Sequence, residues 1–298
     1  MSSEVSIEVR FIPPPEDLRR YFTTFYITRI RLPEGETVDD SLHPEWANLR
    51  FFSGASPVSW FDDGPRLEYA PFTATGPSSR TCHFQMGASR LWGIGLLPLG
   101  WNRFLRQSAA DHANLITDGR IDPTYAPFRA LADTLFGPEP DEAAELARIV
   151  AFFRGLEGEP VDNEERIIAI HEALINPQVD TVASMVRHVG LGQRTIERIC
   201  HRAFGFSPKI LLRRQRFMRS LAQFMLDPSL KWINAIDSQY HDQAQFVRDF
   251  HEFMGTTPRE YAATPHPVLE RFMHERARLH GAPVQTMDSP DGAPRGQG

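Results

Sequence analysis

Two periods of hydrophobic patterning divide the chain. Val5, Ile7, Val9 and Phe11 alternate with polar neighbours until Pro13-Pro14-Pro15 stops the run, and Phe25–Leu32 alternates again, with Phe25 and Ile27 opposite Tyr26, Thr28 and Ile30. A period of two is that of a β-strand. Further strands are expected at Asn48–Ser53, Val58–Phe61, Pro71–Thr75, Cys82–Met86 and Leu91–Leu97, with Gly54, Asp62-Asp63-Gly64, Gly76-Pro77 and Gly87 between them. Short strands at this spacing predict a sandwich or barrel. From Trp101 the text turns helical, most clearly over Ala126–Phe136, Asp141–Phe153 and Glu164–Leu174, and Asn176-Pro177 marks a boundary. The expected order is a β-rich domain over 1–125, a helical extension over 126–177, an all-α domain over 178–263 and a tail over 264–298. The tail is rich in Pro, Gly and small polar residues, so it is expected to be disordered apart from a short helix near Leu269–Leu279.

The all-α domain writes the same twelve-residue sentence twice. Arg198-Ile199-Cys200-His201-Arg202-Ala203-Phe204-Gly205-Phe206-Ser207-Pro208-Lys209 and Arg248-Asp249-Phe250-His251-Glu252-Phe253-Met254-Gly255-Thr256-Thr257-Pro258-Arg259 agree at arginine, histidine, glycine and proline. Phe246, Phe250, Phe253 and Met254 form an apolar helical stripe, matched by Ile196, Cys200, Ala203 and Phe204. Gly205 and Gly255 then stand where a left-handed residue ends a helix, and Ser207-Pro208 and Thr257-Pro258 restart one with a hydroxyl cap and proline at the first turn. Upstream, Val182, Met185, Val186 and Val189 mark a short helix that Gly190 ends, and Ile233 and Ile236 mark its counterpart. Two short helices joined by a tight turn make a helix-turn-helix, and the chain holds two. Pro208–Leu226 reads as one helix between them, roughly 28 Å long, close to one turn of DNA at about 34 Å.

Charge sharpens the picture. The formal net charge is −6, yet 178–262 carries twelve Lys+Arg against eight Asp+Glu, a net of +4 that leaves −10 on the rest. Five of those bases fall in Lys209–Arg219 with no acid among them, so an anionic partner or a solvated helix face is expected there. No run of 18 apolar residues argues for a membrane span. With no secretory signal and only Cys82 and Cys200, in different domains, a reducing cytoplasm without structural disulfides is expected.

The pattern Val182-x-x-Met185-Val186-x-x-Val189-Gly190, Arg194–Arg198, Gly205–Pro208, Arg216-Phe217, Tyr240–Phe250 and Gly255–Tyr261 resembles the AraC/XylS family of bacterial transcription regulators. Segments Phe72–Pro77 and Trp92–Gly100 are similar, more loosely, to the sensor domains attached to some of these regulators. The resemblance implies an α+β protein: an N-terminal short-stranded β sandwich or barrel sensor with a helical extension, then a double helix-turn-helix. It implies double-stranded DNA as partner, RNA polymerase as well if the chain is an activator, and a small-molecule effector on the sensor. It implies no enzyme activity, no cofactor and no metal. Departures are Gly192 where a serine usually caps the first reading helix, Gln239 in place of a turn glycine, Asn234 in place of an apolar residue, and Cys200 in place of a large aromatic. A left-handed Gln239 is expected to carry strain of about 1 kcal/mol.

Gln193, Arg194, Glu197, Arg198 and His201 lie on the free face of the first reading helix. Arginine pairs with guanine, glutamine with adenine, and glutamate accepts from the cytosine amino group. The resemblance places base contacts at Arg194, Glu197 and Arg198, and the matching positions of the second unit are Gln243, Ala244, Gln245 and Arg248. The recurrence of Arg198 at Arg248 equally fits a shared ion pair or cap. Lys209, Arg213, Arg214 and Arg216 suit phosphate, a solvated stripe, or contact with the sensor.

Other chemistry reads weakly. Cys82-His83 and Cys200-His201 lack zinc half-site spacing, and nothing in the spacing of His43, His83 and His112 favours a metal. Gly93-x-Gly95 lacks the rest of a phosphate loop and fits a strand of small residues better. Trp60, Phe72, Phe84 and Trp92 suit an aromatic core more than a pocket lining. The stripe Leu146, Ile149, Val150 and Phe153 suits either a homodimer interface or a cap on the sensor. The alternatives are an N-terminal enzyme or cupin-like metal-binding domain, and a C-terminal module that binds a protein.

Overall fold

The computed structural model describes residues 5–62, 64–156, 160–226, 235–281 and 283–291. Strands β1 (Ser6–Ile12), β2 (Phe22–Arg31), β4 (Ala47–Gly54), β6 (Phe72–Thr75), β8 (Ser89–Leu96) and β9 (Ile116–Asp118) form an antiparallel sheet in the order β1-β2-β8-β4-β6-β9. Strands β3 (Val38–Leu42), β7 (Cys82–Met86) and β5 (Val58–Phe61) form a second antiparallel sheet in that order. The alternation in β2 sorts its side chains as the pattern predicts. Phe25 and Ile27 enter a core shared with helices, while Tyr26 and Ile30 enter the core between the two sheets with Phe84 and Met86. The large sheet is thus covered on both faces. The sequence pattern misses β3 and β9: β3 carries two aspartates and β9 has three residues.

The helical region begins with α1 (Pro98–Phe104), α2 (Arg129–Thr134) and α3 (Glu142–Gly155). The α3 stripe packs Ile149 and Phe153 on the sheet core with Leu146 and Val150 beside them, so it caps the N-terminal domain. Glu145, 1% exposed, fixes that dock: its carboxylate accepts from Arg90 and, at 2.7 Å, from the Trp92 indole. Helix α4 (Glu164–Ile175) packs instead against the next helices, through Ile167, Ile170 and Leu174. Packing therefore divides the expected extension between its two neighbours.

One sequence expectation holds here and another changes. Gly93 and Gly95 lie inside β8 because neighbouring side chains fill the space: a Cβ on Gly93 would stand 1.9 Å from the Tyr26 ring, and one on Gly95 2.4 Å from the Gln285 amide. The short helix expected near Leu269–Leu279 is present, but the rest of the tail expected to be disordered over 264–298 is instead ordered through its described residues to 291. Its last helix, α10 (Leu269–His280), buries Leu269, Met273 and Arg276, and Val284, Gln285 and Thr286 follow it inside. The reason is long-range pairing that composition does not record. Asp40 of β3, 9% exposed, accepts from the Val268 and Leu269 amides at 2.8 and 2.9 Å and so caps α10 across the domains.

Candidate nucleic-acid interface

Each repeat folds as its local chemistry dictates. In the first unit α5 (Val182–Val189) starts at a capping box of Thr181 and Ser184 and ends at Gly190, φ 71°. Helix α6 (Gln193–Ile199) starts at Gly192 with no side-chain cap, as that substitution predicts. It continues through a π turn at Cys200–Phe204 and stops at Gly205, φ 86°. Ile196, Cys200, Ala203 and Phe204 are all buried, and burial pushes the Cys200 thiol up to about 12, with Glu197 adding to it. A wide turn thus places a thiol where the family carries a large aromatic.

The linking helix α7 spans Pro208–Leu226, as predicted. In the second unit Ala235 is buried and Ile236 partly so; Ile233 and Asn234 lie outside the described residues. Helix α8 (Gln243–Met254) starts at Asp242, whose carboxylate accepts from the Gln245 amide at 2.6 Å, and ends at Gly255, φ 68°. Phe246, Phe250, Phe253 and Met254 are buried. Helix α9 (Pro258–Ala263) follows from a capping box of Thr257 and Glu260.

Gln239 is corrected: its backbone is not left-handed, so it carries no such strain. Its amide N–H donates to Asp237 Oδ1 at 2.9 Å, and its side-chain oxygen accepts from Arg219 Nη2 at 2.6 Å. These bonds close the turn that a glycine was expected to make.

Of the eight candidate DNA contacts, Gln193, Arg194, Arg198, Gln243, Ala244 and Arg248 are exposed on the reading helices. Glu197 is half-buried and accepts from the Gln193 side-chain amide at 2.9 Å. Gln245 is half-buried as well, its oxygen turned back to the His241 amide at 3.3 Å. Val247, 38% exposed on the same helix as Arg248, adds an apolar group to this face. Sequence reasoning misses it because the valine stands beside the core residue Phe246 and reads as a member of the stripe.

The linker arginines are not a solvated stripe. Arg213 and Arg216 both donate to Asp249 of α8, 2% exposed, at 2.6 and 3.1 Å, and Tyr240 Oη donates to the same carboxylate at 3.0 Å. Arg214 is fully buried against Trp46 of the sensor domain. Lys209 alone of the four candidates is exposed. Arg213 and Arg216 tie α7 to α8, and Arg214 holds α7 to the N-terminal domain.

The aromatic and histidine candidates of the N-terminal domain separate. Phe72 and Trp92 are fully buried core; Phe84 is buried and lines a cavity between the sheets; Trp60 is half-buried and stacks on His83 at 5.7 Å. Burial pushes the half-buried His83 below its ordinary value, with Asp62 opposing. His43 is buried with Nε2 2.6 Å from Tyr261 Oη, and His112 lies against Trp101. The three histidines serve different aromatic neighbours, and among the described residues no group of three His, Cys, Asp or Glu could hold a metal ion. No helix among them is long and apolar enough to cross a membrane.

Residues 185–264 match a family model described as a helix-turn-helix domain. A search of curated proteins finds no match. Among solved structures, the chain is similar to ToxT from Vibrio cholerae, at 11% identity over 87% of this chain and 98% of that one, with a TM-score of 0.44. A ToxT structure bound to (E)-4-(8-methylnaphthalen-1-yl)but-3-enoic acid gives 12%, 87%, 98% and 0.43. The AraC-like transcriptional activator CuxR gives 15%, 73%, 87% and 0.23. With the repeated motifs, and α6 and α8 joined by α7, residues 185–264 are an AraC-type helix-turn-helix domain, which supports a DNA-binding transcription regulator.

Proposed function

We propose that the two units read successive major grooves on one face of the duplex, and that a small molecule on the N-terminal domain modulates them. The observation that carries the reading is the exposure of two polar helix faces, Gln193-Arg194-Arg198 on α6 and Gln243-Ala244-Arg248 on α8, the two helices that a 19-residue helix joins. At ~1.5 Å per residue that helix spans roughly 28 Å, near the groove repeat. Arg194 and Arg198 present forked donors suited to guanine, and Gln243 an amide suited to adenine. Glu197, held by Gln193, orients that glutamine more than it reads a base. Val247 offers methyl groups to a thymine methyl. The protein works in the cytoplasm, where its DNA is, and any RNA polymerase contact or homodimer lies outside this interface.

Selection from random duplexes with the full-length protein tests the reading, followed by titration of the enriched site with wild type and Arg194→Ala. Two half-elements about one helical turn apart, weakened by roughly 1–3 kcal/mol in the variant, are expected. A single half-element would confine base reading to one unit. No enrichment would send the search to a protein partner.

A further inference from the structure

After the second unit the chain returns to the N-terminal domain and lays α10 over it. The Phe272 ring of α10 meets Phe11 edge-on at 5.6 Å and 88°, and Tyr26 at 5.1 Å and 77°. A small cavity lies on either side of that ring, with free volumes of about 40 and 60 Å³, and Leu42, Arg50 and Phe272 line both. Phe272 therefore divides a single space under α10. Its ring is only half-buried, so the space is one side chain away from solvent.

The lining chemistry is selective. Both cations there already face a carboxylate: Arg50 donates to Glu45 at 2.5 Å, and Arg276 pairs with Asp288. A charged ligand finds no free counter-ion, and burying its charge unpaired would be costly. Thr28, fully buried, lines the first cavity, and its hydroxyl has no hydrogen-bond partner among the described residues. The remaining walls are mostly apolar, among them Phe52, Phe84 and Leu91.

The same segment completes the second DNA-reading unit. Leu269, Met273 and Val284 share a core with Phe217, Phe246 and Phe250. Gln215 of α7 donates to the Thr286 carbonyl at 2.7 Å. One stretch of chain thus covers the sensor cavity and packs α8.

We propose that the space under Phe272 is a binding site for a small uncharged molecule with one aromatic ring and a short hydroxyl-bearing arm, for which Phe272 is the stand-in within the chain. Ligand entry lifts α10 from the sheet, withdraws Leu269, Met273 and Val284 from the second unit and weakens DNA binding. A ligand acts this way because it binds the lifted state and not the seated one. The inference deepens the effector reading given above and rests on it.

Hydrogen exchange over residues 266–280 of the full-length protein tests it, with benzyl alcohol and benzoate as probes. Benzyl alcohol is expected to speed exchange there at least tenfold, leave α3 unchanged and weaken binding to the enriched duplex at least tenfold; benzoate does neither. Phe272→Ala is expected to reproduce the faster exchange without a probe, and Phe272→Leu, which keeps most of the bulk, to do so partly if the alanine variant does not fold. Unchanged exchange in saturating benzyl alcohol, an equal response to benzoate, or acceleration throughout the chain overturns the site. Faster local exchange with unaltered DNA affinity overturns the coupling. If wild type enriches no duplex, the DNA reading fails, while the exchange measurements still decide the site.

Discussion

The guanidinium of Arg214 lies 4.2 Å over the Trp46 indole and donates from Nη1 to the Ser78 carbonyl at 2.7 Å. The side chain is fully buried, its Nε and Nη2 have no hydrogen-bond partner among the described residues, and burial pushes its pKa down to about 9. A cation with no carboxylate partner among the described residues joins α7 to the N-terminal domain. Its neighbours supply π-face attraction and one carbonyl, less than the desolvation of a charge demands.

Arg214→Met keeps length and apolar contact while removing that charge. Its stability in urea is expected to match wild type or exceed it by about 1–4 kcal/mol. Arg214→Ala is expected to lose stability, because it leaves a void beside Trp46. A methionine variant as damaged as the alanine one would show that the charge itself stabilises the interface.

His43 makes the closed arrangement sensitive to acid. Desolvation, with a smaller contribution from His266, lowers it from 6.5 to about 3, and its Nε2 meets Tyr261 of the second unit. The folded state keeps this imidazole neutral while the unfolded chain takes up a proton below 6.5. Its contribution is therefore complete above 6.5 and is lost progressively as pH falls toward 3, by roughly 2 kcal/mol at pH 5. Urea midpoints at pH 7.5 and pH 5 should show that loss in wild type and a smaller one in His43→Gln. Equal slopes in the two proteins would assign the acid sensitivity elsewhere.

Asp249 gathers Arg213, Arg216 and the Tyr240 hydroxyl onto one buried carboxylate between α7 and α8. Asp249→Ala leaves Arg216 without its acid while Arg213 keeps Glu252, and a cost of about 3–5 kcal/mol is expected from denaturant titration. Footprinting on the enriched duplex should lose the half-element read by α8 first. Retention of both half-elements at wild-type affinity would separate this network from DNA reading.

Gln239→Gly tests the corrected turn. Since the glutamine backbone is not left-handed, glycine relieves nothing there and removes the bond from Arg219. A loss of about 1 kcal/mol is expected. A gain in melting temperature would restore the view that this turn is strained.

Legibility in the sequence followed the range of the interactions. Pro208–Leu226, the left-handed glycines 190, 205 and 255 and the Thr257 cap were readable because helix periodicity and capping are settled within about four residues. The exposed faces of α6 and α8 were readable for the same reason. The fates of Arg213, Arg214 and Arg216 were not, because an arginine on a helix reads alike whether it faces phosphate, Asp249 or Trp46. Gln239 was misread because Arg219, twenty residues away, helps to close its turn.

What the sequence determined by itself is the repeated helix-stop-helix pattern, the exposed polar faces of α6 and α8 and an N-terminal domain of short strands, all products of local periodicity and turn chemistry. What only the tertiary structure decided is where that last helix docks: α10 folds back on the N-terminal domain, capped by Asp40, with Phe272 against Phe11 and Tyr26. Composition describes that segment as too polar and too rich in proline to order itself. It orders because its few apolar side chains, Val268, Leu269, Met273 and Val284, are buried against surfaces that only the assembled domains present.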